Sequence, residues 1–301
     1  PTRRSSDLLI MLKNYIRIYA EDFLGESSDK NKNTEDSASK KYNQQRMMNF
    51  SYESLDPDDF DTVINKVSCM QKDTQIKIKY FYKRILDLFL QNYYDDAILK
   101  MQSLVSILRN EIFKQLCKSE KGSRVRFMGE YELCHPLNVA VISGLIAKKL
   151  EFTPKAFDDV ILAALLHDIG KLKIELHGES AILTTNEDEI KEHTVIGYNM
   201  IKETFGLSES IAKVALEHHE NNDGSGYPKG LSNDFIDEYS QIVNVANYYD
   251  NLAFNRTHIL VTNNKEALRA MLETGTKKFS AQMLYTFIHM FSYDEDRKSV
   301  V

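Results

Sequence analysis

His218-His219-Glu220-Asn221-Asn222-Asp223-Gly224-Ser225-Gly226-Tyr227-Pro228 is the stretch on which the reading of this chain turns. Adjacent histidines close an apolar-periodic segment, and a glycine-rich turn follows at once. The combination suggests metal ligands beside a loop able to approach a ligand closely, because glycine takes positive φ without steric cost. Two neighbouring histidines alone are weak evidence. Upstream, however, His167-Asp168 ends the apolar run Val160–Leu166, and His193 follows in KEHTVIGY. A lone carboxylate at the end of so apolar a helix is costly to bury, and a metal ion relieves that cost. Imidazole and carboxylate donors suit iron, manganese or zinc better than magnesium alone.

Around these residues the chain reads as helix after helix. His135-Pro136 opens a helix with Leu137, Ala140, Val141, Gly144 and Leu145 on its buried stripe. Thr153-Pro154 caps the next, whose Phe157, Val160, Ile161, Ala164 and Leu165 lead into His167-Asp168, with Gly170 placed to end or bend it. Further back, Thr74 to Leu90 carries Ile78, Phe81, Ile85 and Leu88, and Asp95 to Leu116 carries Ile98, Met101, Val105, Leu108 and Ile112, at three- and four-residue spacing. No alternating strand is convincing, so the fold class is all-α: a helical metal-binding bundle preceded by a smaller helical region. Asp56-Pro57-Asp58-Asp59 announces the first helix of that region.

The domain boundaries follow from composition. Residues 9–25 read as an amphipathic helix and 26–48 as a polar linker that cannot bury enough surface to offset its ordering entropy. Residues 49–120 form an N-terminal helical domain and 127–295 the histidine-bearing domain. The ends, PTRRSSDL at 1–8 and DRKSVV at 296–301, translate opposite strands of one DNA, CCTACACGACGCTCTTCCGATCT, and read as adapter-derived tails excluded from the fold. The native termini, and any upstream sensor, signal peptide or membrane anchor, stay open.

A net charge of −6 over 301 residues argues against a nonspecific binder of nucleic acid polymers. Phosphate recognition therefore falls to local cations or metals. Cys69, Cys117 and Cys134 form neither a zinc-type pair nor a disulfide framework, and a cytoplasmic setting is the simplest. The longest apolar run, Val160–Leu166, is far short of a membrane span.

Over residues 131–290 the chain resembles the HD-GYP family of cyclic di-GMP phosphodiesterases. His135 in HPLNVAV matches that family's first histidine, and His167, Asp168 and Lys171 in LLHDIGK match its HDxxK core. Leu183-Thr184, Glu187 and His193 match the next segment, HHENNDGSGYP the defining loop, and Arg256 the phosphate-contacting arginine. The resemblance implies two divalent ions, iron or manganese, bridged by Asp168. His135 and His167 would serve one, and His193, His218 and His219 the other. A metal-activated water would attack phosphorus, giving linear pGpG, GMP or both. Lys171 would neutralise the attacked phosphate or steady the nucleophile, and Arg256 would grip a nonbridging oxygen. Gly226, Tyr227 and Pro228 would form the ligand loop, with Tyr227 either facing a guanine or anchoring the loop to the protein. His177, His258 and His289 read as structural or surface residues.

The chain departs from the family pattern in three places. Asn247, in Ile242-Val243-Asn244-Val245-Ala246-Asn247, stands where the family has its last metal-binding aspartate, and Asp250, three residues on, reads as a second, structural aspartate or, with a shift, as the substitute ligand. Tyr131 stands where members with a third metal carry glutamate, which favours a binuclear site. Thr257-His258-Ile259 follow Arg256 in place of the usual proline, aromatic and cation. An amide supplies no negative charge, so a second reading is a catalytically weakened domain that senses a cyclic dinucleotide or docks onto a protein. The partner would be a diguanylate cyclase, or a second copy through the N-terminal helices. A third is a phosphohydrolase of another nucleotide.

Overall fold

The computed structural model describes residues 72–118, 127, 131–175, 191–253 and 264–292, all within one compact unit, Ser68–Val301. The expected helix at 9–25, the linker, the start at Asp56, both tails, Leu183, Thr184, Glu187 and Arg256 lie outside the described residues. Those described are helical, as expected, and the one β feature among them is an isolated bridge between Asp223 and Ser232.

Helix α1 (Lys72–Leu90) and helix α2 (Tyr94–Lys118) form a hairpin whose turn uses Asn92 at φ 62°, a residue type tolerant of the left-handed region. On α1 the buried stripe is Ile78, Tyr82, Ile85 and Phe89, rotated by one residue from the expected Phe81 and Leu88. Tyr82 takes the inner place because its hydroxyl finds a buried acceptor, the carbonyl of Leu165. The hairpin lies against helix α3 (Tyr131–Lys149) and helix α4 (Pro154–Leu166). Arg109 on α2 pairs with Asp158 on α4 at 2.6 Å.

Helix α3 is central, and every residue from Cys134 to Ala147 is buried. A helix surrounded on all sides is apolar on all sides, so it shows no single stripe of the kind read from Leu137 to Leu145. It begins at Tyr131, a turn before His135, which leaves Pro136 inside the helix. A Cβ on its Gly144 would stand 2.7 Å from Ile112 and 3.3 Å from Ile161, so glycine there brings α3 close to α2 and α4. As expected, Thr153 accepts the Ala156 amide at 3.3 Å to cap α4, with Pro154 in the first turn.

Helix α5 (Lys171–Glu175), helix α6 (His193–Asn199) with its π-helical continuation Met200–Thr204, and helix α7 (Glu209–Glu217) build one wall of the site. Helix α8 (Glu238–Ala253) packs on α3 and α7. Helix α9 (Asn264–Lys278), interrupted at Gly275, and helix α10 (Ala281–Ser292) close the far side. No helix among the described residues is long and apolar enough to cross a membrane.

Candidate metal centre

The terminus of α4 carries the central pair. Carbonyls in the last turn of a helix lack intrahelical donors, and here three of them are used in succession. Ala164 accepts from His167 Nδ1 at 2.7 Å, Leu165 from the Tyr82 hydroxyl at 3.2 Å, and Leu166 from the Ile169 amide at 3.0 Å. The turn then passes Gly170, where a Cβ would lie 2.1 Å from the His193 carbonyl oxygen and 2.7 Å from the Gly197 nitrogen. Gly170 was expected to end or bend the helix. Its stronger constraint is close packing, which seats His167 and Asp168 against the helix that begins with His193.

The remaining histidines reach the same point from three more elements. His135 projects from α3, His193 from the start of α6, and His218 and His219 follow the end of α7. Potential ligand atoms of His135, His167 and Asp168 lie within 4.8 Å of one another, and so do those of Asp168, His193, His218 and His219. The two sets share Asp168, one oxygen each. Its Oδ2 faces His167 Nε2 at 3.3 Å and His135 Nε2 at 3.8 Å, and its Oδ1 faces His193 Nε2 at 3.3 Å and His218 Nε2 at 3.6 Å.

Tautomers decide what this cluster can hold. A carbonyl oxygen only accepts, so the bonds from His167 Nδ1 to Ala164 and from His218 Nδ1 to Val214 and Ala215 place the proton on Nδ1 in both rings. His135 Nδ1 meets the Asp250 carboxylate at 2.8 Å, which fixes that ring the same way. Three Nε2 lone pairs therefore point at the oxygens of a carboxylate, and His167 Nε2 and Asp168 Oδ1 are buried without a hydrogen-bond partner.

Lys171 Nζ donates to Asp168 Oδ2 at 2.5 Å and His193 Nε2 lies 3.4 Å from His218 Nε2, and the acceptors that remain are compatible with a bound cation. Protonation of three of the rings is disfavoured: burial lowers the pKa of His135, pushes that of His218 down to about 3, and holds that of His219 well below the ordinary range. Burial raises the pKa of Asp168, but the Lys171 ammonium and neighbouring histidines outweigh it and hold the carboxyl well below the usual range. Neutral His135, His218 and His219 and an ionised Asp168 are the protonation states that ligation needs, and the donors fit a divalent metal.

The HD domain family matches residues 107–283, more than half of the chain. The chain belongs to the HD domain family. A cyclic di-GMP phosphodiesterase of Thermotoga maritima is 33% identical over 160 residues, 52% of this chain and 44% of that protein. Cyclic di-GMP phosphodiesterase PdeB of Borreliella burgdorferi is 29% identical over 170 residues, 56% of this chain and 45% of that protein. This chain thus spans less than half the length of these relatives. An HDG"Y"P protein of Bdellovibrio bacteriovorus shares the fold, with a TM-score of 0.59 at 16% identity over 85% of this chain and 81% of that one. The HD-GYP resemblance read from the sequence holds.

Within this HD domain the Gly-Tyr-Pro loop folds back on its own chain. Gly224 takes φ +79°, but Gly226 does not have positive φ. A Cβ on Gly226 would lie 2.3 Å from the Asn221 nitrogen, 2.4 Å from the Glu220 Cα and 2.5 Å from the His219 carbonyl oxygen. Its close approach is to protein backbone. Tyr227 stacks on His219 with centroids 4.7 Å apart, and the Tyr227-Pro228 bond is cis.

Lys171 Nζ stands 2.5 Å from Asp168 Oδ2. Asn247 is buried on α8, and its Oδ1 accepts from Asn251 Nδ2 at 2.9 Å. Asp250 orients His135. One contributor went unread in the sequence: Glu220, wholly buried, whose carboxylate accepts the Lys229 and Leu231 amides at 2.7 and 2.9 Å and pins the loop. Its place directly after the histidine pair was the only available signal.

Proposed function

We propose that this chain is a metal-dependent phosphodiesterase that hydrolyses cyclic di-GMP to linear pGpG, GMP or both. The observation that carries the reading is the convergence of the His135, His167 and His218 Nε2 atoms on the two oxygens of Asp168. The names of the two sequence relatives support the substrate. His135, His167 and Asp168 would hold one ion, and Asp168, His193, His218 and His219 a second. The donors favour iron or manganese, with zinc chemically acceptable. When bound, such ions activate water as a nucleophile and offset charge on a phosphoryl group.

The chain's own groups supply the rest. Asp250 and the α4 and α7 carbonyls hold the imidazoles in the tautomer that leaves Nε2 free. Lys171 balances the Asp168 charge and, being partly exposed, is available to a phosphate oxygen. Arg256 is assigned a second phosphate contact, and Gly226 and Pro228 a place in the ligand loop, in which Tyr227 faces His219.

The test is purification of the full chain, measurement of its metal content, and chromatography of cyclic di-GMP incubated with iron or manganese under anaerobic conditions. Two metals and a linear product are expected; nucleotide left intact overturns the enzyme. Asn247 favours a second reading, a nucleotide-sensing or protein-docking domain, since its amide adds no charge and its oxygen already accepts from Asn251. Binding of cyclic di-GMP without product selects that reading, with a diguanylate cyclase or a second copy of this chain as the partner to assay.

A further inference from the structure

His219 is held differently from its neighbours. Hydrogen bonds at Nδ1 fix the rings of His135, His167 and His218. Among the described residues no hydrogen bond reaches the His219 ring. Its orientation comes from ring contacts: Tyr227 stacked at 4.7 Å and 18°, His218 at 4.0 Å and 46°, and His193 edge-on at 5.3 Å. The two histidines belong to the same donor set, so Tyr227 is the ring contact supplied from outside that set.

The loop that presents Tyr227 is anchored independently. The Tyr227 amide donates to the His219 carbonyl at 3.3 Å, and Gly226 sits against the Glu220 backbone. Asn244 Nδ2 donates to the Glu220 carbonyl at 2.6 Å, and the Glu220 side chain holds the Lys229 and Leu231 amides. Lys191 Nζ lies 5.9 Å from the Tyr227 ring centroid. A loop tied down at this many points can fix a ring it touches.

We infer that Tyr227 is a positioning residue for His219, acting through that ring on the metal donor set rather than through contact with the nucleotide. The inference rests on the metal-centre reading above. A stacked aromatic would do for a ring without a hydrogen bond what Asp250 does for His135, and loss of such an outer partner typically weakens metal binding by about 10- to 100-fold.

The experiment is a titration of the metal-free full chain with Co2+, followed by absorbance and by competition with a chromophoric chelator. The parent, Tyr227→Phe, Tyr227→Leu, His219→Ala and the double variant Tyr227→Leu/His219→Ala are compared, each with a far-ultraviolet spectrum to check folding. Tyr227→Leu should weaken Co2+ binding by about tenfold and change the visible spectrum. Tyr227→Phe, which keeps the ring, should restore both. In the His219→Ala background Tyr227→Leu should add no further loss, because the route through His219 is already gone.

Equal Co2+ affinity and spectrum in the parent and Tyr227→Leu, with KM alone raised, overturns the inference in favour of a nucleotide contact. Additive losses in the double variant overturn it as well. A parent that binds no Co2+ defeats the metal-centre reading itself, a different and separately visible failure.

Discussion

Asn251 donates through Nδ2 to the side-chain oxygen of Asn247 across 2.9 Å, one helical turn apart on α8. Asn251 in turn accepts from the Tyr131 hydroxyl, and the Tyr131 ring stacks on His135 with centroids 4.7 Å apart. Two positions where the resemblance calls for carboxylates thus carry a tyrosine and an amide joined by a third polar side chain. The network orients Asn247 but supplies no charge, and an amide oxygen retains a second lone pair. Asn247→Asp should keep the Asn251 bond and tighten the weaker of two metal-binding steps, by about tenfold if ligand charge dominates. Calorimetric titration with Mn2+ checks this, and an unchanged second step would show that Asn247 lies outside the donor set.

Tyr82 is buried on α1 and donates to the Leu165 carbonyl, two residues before His167. Tyr82→Phe removes only the hydroxyl, and should cost about 0.5–1.5 kcal/mol. Tyr82→Ala also leaves a cavity and should cost about 3–5 kcal/mol. Urea denaturation of both variants measures the two losses.

Gly170 faces backbone that no rotamer change can move aside. Gly170→Ala should therefore destabilise by roughly 3 kcal/mol or more, and separate the His167-Asp168 turn from His193. A melting curve together with metal content reads both effects. Loss of metal at an unchanged melting temperature would assign the glycine to the site alone.

Acid should weaken the metal-free protein. In the unfolded chain the histidines titrate near their usual pKa of about 6.5, whereas burial lowers His135, His218 and His219 in the fold, His218 to about 3. Between those values the unfolded chain binds more protons. Stability is therefore complete above the unfolded value and falls as pH drops below it, by up to about 1.4 kcal/mol per pH unit for each such ring. Urea midpoints at pH 7.5, 6 and 5 in the presence of a chelator should fall in that order, and added metal should raise the midpoint most at pH 7.5, because ligation needs unprotonated rings.

The parts of this fold that repeat locally were legible in the chain. Helical spacing located α1 and α2, Thr153-Pro154 marked the start of α4, and the histidines with Asp168 carried recognisable intervals. What periodicity could not supply were contacts between distant residues: Tyr82 with Leu165, Tyr131 with Asn251, and Glu220 with the amides of its own loop. Each is a polar group whose partner is set by packing. Helix α3 hid its role for a related reason, since burial on every side erases the stripe that a surface helix displays.

The bond from Tyr82 has a further meaning for boundaries. The HD domain match begins at residue 107, beyond the whole of α1 and part of α2. A protein cut at that point would retain every histidine of the cluster, yet it would lose the donor behind the HD turn and bare the surface that Ile78, Ile85 and Phe89 cover. Sequence match and structural completeness follow different borders in this chain: the matched portion, residues 107–283, leaves out helix α1, whose apolar face belongs to the same core.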